Sequence, residues 1–241
     1  MKRGQVTEFI IAGLIILIAG IFIVIAKFGY VQDVLEQQKD KFVGVPSDIK
    51  PVRTYIGGCL AEVSKTAKEI VLLQGGYYDP KKYIAIDISN VALWYEEGKD
   101  ISPTLKTIEN EIANTTDKLL PLCIEEYGIE DYKISINGID SLVRINKDNI
   151  LAQSNVRINV NYKEINFTIN EKFSTKYDSD LYSIYNVAIA IVDMEVKDPR
   201  NIELTTLSDF GYDINFFRYN ENEMVYIITT EYTNLFWGNK F

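Results

Sequence analysis

Cys59 and Cys123 are the residues of this chain whose chemistry is most narrowly defined. They are far apart with no Cys-x-x-Cys spacing, so nothing supports a redox-catalytic pair. The choice lies between a structural disulfide and two buried thiols, and the compartment decides it. The other candidates are oxygen groups. Glu125, Glu126, Glu130 and Asp131 form one acidic grouping, Asp178 and Asp180 a second, and Asn146, Asp148 and Asn149 a third. Calcium takes about six to eight oxygens arranged by a loop, and none of the three has the glycine-bearing spacing of such a loop. They read as solvated surface, and no metal is expected. The chain has no histidine, which removes the usual proton carrier near neutral pH, the Ser-His-Asp and Cys-His nucleophiles, and any His-containing zinc site. Paired carboxylates for glycoside cleavage are defined by separation in space, and no pair stands out. No catalytic residue and no cofactor is therefore expected. Asn114-Thr115-Thr116 and Asn166-Phe167-Thr168 are N-glycosylation sequons, usable only outside the cell.

The first thirty residues decide the compartment. Phe9 to Ala26 is a run of 18 residues without a charge. Extended through Lys27 to Phe28, the segment covers about 30 Å as a helix, the thickness of a bilayer's hydrocarbon core. It is too long for the apolar region of a cleavable secretory signal, and more helical pattern follows it, so it reads as a retained anchor. Lys2 and Arg3 hold the amino end in the cytoplasm and place the rest of the chain outside. There Cys59 and Cys123 are expected to join. Ala12, Ala19 and Ala26 recur at sevens, as do Gly13 and Gly20, leaving a seam without bulk along which membrane helices pack closely. The expected partners are the membrane and further copies of the same helix.

The run Lys2-Arg3-Gly4-Gln5-Val6-Thr7-Glu8-Phe9 resembles the class III, prepilin-type leader of archaeal type IV pilin-like proteins. The resemblance covers about the first thirty residues. It implies that a prepilin-type peptidase removes residues 1–4 between Gly4 and Gln5, and that the apolar helix then bundles with others in a filament core. It also implies that Glu8 compensates a neighbour's terminal amine, although here the acid falls one position earlier than the family usually places it. Cys59-Leu60 with Gln74 to Tyr77 is also similar to single-span secreted proteins of archaea, a likeness that implies no activity.

The body must be positioned by this anchor. Residues 5–45 read as the apolar helix and an amphipathic stalk carrying Val31, Val34, Leu35 and Phe42, ended by Gly44 and Pro46. Residues 46–130 read as a helical subdomain. It opens with a loop over 47–58 closed by Gly57-Gly58, then a helix over 59–74 capped by Gly75-Gly76. Short strands follow near Ile84 and Leu93, and a second helix starts at Ser102-Pro103 and stops near Pro121. Residues 131–241 read as an antiparallel sheet. Asn137-Gly138 is the expected hairpin turn and 146–149 a second. A helix capped at Asp178 or Ser179, with Leu181, Ile184, Ala188, Ile191 and Val192 as its stripe, crosses the dry face before Asp198-Pro199. The fold class is α+β.

Residues 45–241 carry 20 Lys or Arg against 30 Asp or Glu, a balance that repels phosphate and argues against nucleic acid. Two functional readings follow. One is a subunit of a type IV pilus-like surface filament; the other is a single-span, membrane-anchored adhesion domain that does not polymerise.

Overall fold

A computed structural model describes residues 50–87, 89–126, 132–163, 165–199 and 204–241. The leader, the apolar helix and the stalk expected over residues 1–45 lie outside the described residues.

Val52, Ile56, Leu60, Val63, Ala67 and Val71 recur every three or four residues and are buried, which makes one helix, α1 (Lys50–Leu73), of 24 residues. It runs straight through Gly57-Gly58, where a loop was expected. Two glycines cost a helix about 1 kcal/mol each relative to alanine, and the burial of Val52, Ile56 and Leu60 on either side outweighs that. At the other end Gly75 and Gly76 adopt left-handed φ of 70° and 90°, and the Gly76 N–H donates to Val71 O at 2.8 Å. This glycine cap is the one expected. A Cβ on Gly75 would lie 2.9 Å from that of Ala92, so the cap can approach the Ala92 backbone only as glycine.

Strands β1 (Tyr83–Ile86) and β2 (Ser89–Glu96) form the expected short pair, and β3 (Lys99–Asp100) adds to β2. Helix α2 (Leu105–Glu125) is capped by Thr104, whose hydroxyl accepts from the Thr107 N–H at 3.1 Å. Ser102, the expected cap, is already engaged: its hydroxyl and N–H both donate to Asp100 Oδ1. Pro121 does not end α2. A proline so near the C-terminus forfeits one backbone bond, while the last turn buries Ile124 and holds Cys123.

Strands β4 (Tyr132–Ile145), β5 (Asn149–Tyr162) and β6 (Ile165–Asp178) form a three-stranded antiparallel sheet, with the 146–149 turn as expected. Asn137-Gly138 is not a turn. The register passes from Ile136 opposite Ile158 to Gly138 opposite Arg157, so Asn137 is the extra residue of a bulge inside a continuous β4. Helix α3 (Leu181–Lys197) has the expected stripe fully buried. Its first free N–H, on Leu181, is taken by the Ser179 hydroxyl. After α4 (Leu204–Asp209) come β7 (Asp213–Arg218), β8 (Glu223–Thr229) and β9 (Asn234–Lys240).

The strands do not form one sheet. The second, six-stranded sheet runs β1-β2-β9-β8-β7 with β3 on β2, and β2 pairs with β9 in parallel. It therefore takes strands from both sides of residue 130, and residues 51–241 are one unit. Helix α3 crosses this sheet over β2, β3 and β9, while the dry face of β4-β5-β6 is met by α1, where Ser64 O accepts from Tyr177, and by α2, where Asp117 accepts from Ser141. Trp94, Trp237 and Tyr226 stack at the centre of the core, with ring centroids 5.6 and 5.0 Å apart.

Candidate functional site

The residues that join α1 to α2 form a cross-linked base at the start of the described residues. Cys59, on the third turn of α1, is bonded to Cys123 in the last turn of α2, with Cα atoms 5.8 Å apart. The bond fastens the middle of one helix, where the start was expected, to the end of the other. Tyr55, one turn earlier, donates its hydroxyl to Cys123 O at 2.8 Å. On the same helix Arg53 pairs with Glu171 of β6. Farther along α2, Glu109 accepts from Arg144 and Lys106 on one oxygen and from the Ile145 N–H on the other, tying the helix to β4. The base is thus cross-braced by covalent, ionic and hydrogen bonds. These bonds hold α1 to α2 and to β6, and the far end of α2 to β4.

The sequon asparagines Asn114 and Asn166 are both exposed. Asn166 accepts from Asn161 Nδ2 across the β5–β6 ladder, and Thr116 donates to Ile112 O inside α2. Gly4, Gln5, Glu8, Ala12, Gly13, Ala19, Gly20 and Ala26 lie outside the described residues, as do Glu130 and Asp131. Glu125 and Glu126 are exposed at the end of α2. The other two acidic groupings, separate in sequence, meet: Asp148, Asp178 and Asp180 line one surface cavity of about 320 Å³, with Lys147 and Ser183 beside them. Among the described residues no three acidic or cysteine side chains are placed to hold a metal ion. No described helix is long and apolar enough to cross a membrane.

Two buried polar groups were not picked out from the sequence. Glu195 of α3 is 2 % exposed and accepts from Tyr226 Oη of β8 and Asn239 Nδ2 of β9. Burial lifts its carboxyl to about 7 against the two hydrogen bonds, which favour the charged form. A glutamate on the stripe of Ile184, Ala188 and Ile191 was the available signal, because helical spacing puts it in the core. Lys68 of α1 is 5 % exposed and donates to Tyr232 O at 2.6 Å; burial lowers its pKa although Glu69 and Asp180 oppose the shift. It lines a cavity of about 510 Å³ with Glu69, Glu231 and Thr233. Glu195 does not line the cavity that holds Lys68.

No protein-family model, curated protein or solved structure matches the chain.

Proposed function

We propose that the chain is a structural subunit of a type IV pilus-like surface filament. The observation that carries this reading is the order of residues 2–26: basic pair, Gly4, Gln5, Glu8, then 18 uncharged residues with small ones at sevens. A prepilin-type peptidase cuts after Gly4, the apolar helices bundle along the Ala12, Gly13, Ala19, Gly20 and Ala26 seam, and the acidic body stands outside the membrane. The braced base supports the reading. A subunit that carries load must pass force from its rod into its body, and α1 is the first described element of that body, tied by Cys59–Cys123, Arg53–Glu171 and Tyr55. A disulfide is also the chemistry of an oxidising exterior.

The test is expression with a prepilin-type peptidase, followed by intact mass and electron microscopy of sheared surface material. The expected result is a chain beginning at Gln5 within filaments, with Gly4→Val leaving residues 1–4 attached and no filaments. An intact Met1 and a detergent-soluble monomer would instead make the chain a tethered adhesion domain.

A further inference from the structure

The dry face of the β4-β5-β6 sheet is accounted for by α1 and α2, but its other face is open among the described residues and differs from the rest of the molecule in charge. Lys133, Arg157, Lys172 and Lys176 stand on it, all exposed, against Asp140 and Asp178, beside Arg144, which is paired with Glu109 of α2. No ion pair among the described residues uses any of the four cations. A chain with 25 basic and 34 acidic residues has thus placed an excess of cations on one flat surface. Between them lie carboxamides, Asn155, Asn159 and Asn170, each exposed. No aromatic side chain occupies an open-face position of the three strands.

The bulge gives this face a recess. Because Asn137 is the extra residue, Gly138 is set opposite Arg157, and Arg157 lies opposite Asn170 on β6; the next row holds Asp140, Asn155 and Lys172. A Cβ on Gly138 would meet nothing within 4 Å, so the missing side chain leaves open space. The result is a cup of about 320 Å³ lined by Gly138, Ile139, Asp140, Asn155, Arg157 and Asn170. A guanidinium grips a carboxylate with two parallel hydrogen bonds. Carboxamides give and take hydrogen bonds with neighbouring hydroxyls, and the Asp140 carboxylate accepts from a hydroxyl. The ligand that uses all of these carries one carboxylate and several hydroxyls on a small frame, which describes a sugar acid. A single-stranded nucleic acid would call for stacking rings, which the face lacks, and a protein partner for aromatic or apolar anchors around the cup; the apolar side chains of the face, Leu142 and Leu151, lie beyond the Asp140 row, toward the Arg144 end. Strands of 14 residues run about 46 Å, so the remaining lysines can meet further charges of the same chain.

We propose that the open face of β4-β5-β6, centred on the cup at Arg157, binds the uronic acid units of an anionic polysaccharide. This holds whether or not the chain polymerises. The experiment uses the full-length protein in detergent, retained on immobilised polygalacturonate at physiological salt, with dextran and single-stranded DNA as comparison matrices. Retention by polygalacturonate alone is expected. Arg157→Gln removes the bidentate contact and Gly138→Gln fills the cup, and each should weaken binding about tenfold or more. Lys99→Gln, on β3, should change nothing. Both Arg157 and Gly138 are exposed, so neither variant threatens the fold. Equal retention by dextran or DNA, full binding by both cup variants, or an equal loss in Lys99→Gln would overturn the assignment. So would loss of self-association in Arg157→Gln with no retention of the parent protein, which would make a second copy the occupant.

Discussion

The buried carboxyl of Glu195 should make the stability of this protein fall as pH rises through the slightly acidic range. Its ordinary value is 4.5, and burial between α3 and the six-stranded sheet lifts it to about 7. The folded protein therefore holds this proton more tightly than the unfolded chain does. The stabilisation is fully present below pH 4.5, declines as pH climbs toward 7, and is gone above it. At the rate of about 1.4 kcal/mol per pH unit the whole span is about 3 kcal/mol, most of it between about pH 5 and about pH 8. Glu195→Gln removes the titration while keeping the shape. The glutamine carbonyl can accept from Tyr226, and its amide can donate to Asn239 Oδ1, a buried oxygen with no partner while Asn239 offers its NH₂ to the carboxylate. Urea unfolding of both proteins at the two pH values isolates Glu195, since every other titrating group is common to them. The parent should lose about 2 to 3 kcal/mol more than Glu195→Gln on going to the higher pH. Parallel losses, agreeing within about 0.5 kcal/mol, would refute the claim that this acid is buried with its proton.

Three further outcomes follow from the packing. Gly58 is exposed on α1 with nothing within 4 Å of an added Cβ, so Gly58→Ala should stabilise by about 0.5–1 kcal/mol; a loss in urea unfolding would mean that α1 does not continue through the glycines. Replacing both Cys59 and Cys123 by alanine opens a loop with a sequence separation of 64, worth about 4 kcal/mol by the chain-entropy relation and a drop in Tm of about 8–16 °C for a body of this size. An unchanged melting curve would show that the bond does not brace the base. In Gly238→Val the new Cβ would meet Ile84 Cδ1 at 2.8 Å where the Ile84 side chain reaches over β9, and thermal unfolding should show a cost of about 1–3 kcal/mol; no cost would mean that Ile84 does not cover β9.

What the sequence revealed follows the range of the forces involved. Helix α3 was legible because its stripe is regular and Asp198-Pro199 stops it, and β5 and β6 because polar and apolar residues alternate along them. The disulfide was legible through topology, from the charge flanking an apolar run. The failures came where distant parts of the chain overrule a local signal. Asn137-Gly138 has the composition of a hairpin turn, yet β5 pairs with residues on both sides of it, and the dipeptide yields as a bulge. Gly57-Gly58 and Pro121 are helix breakers in isolation, but each sits beside buried residues whose packing spans it. The parallel pairing of β2 with β9 joins residues near 93 to residues near 238, a contact that no local pattern encodes, and it merges the two expected subdomains into one sheet. Glu195 and Lys68 were half-hidden for a related reason: helical spacing puts Glu195 on the buried stripe, but a charged residue is usually placed on the surface, and the folded neighbours are what enclose both.

The central claim is that the chain is matured at Gly4 and held in a polymer by its apolar helix. Intact mass of the protein taken from native surface fractions, after sedimentation without detergent, tests it most directly. The account predicts a mass lacking residues 1–4, found in fast-sedimenting filaments, with Cys59 and Cys123 oxidised. A mass that includes Met1, in a species that sediments as a single copy once detergent is added, would contradict it.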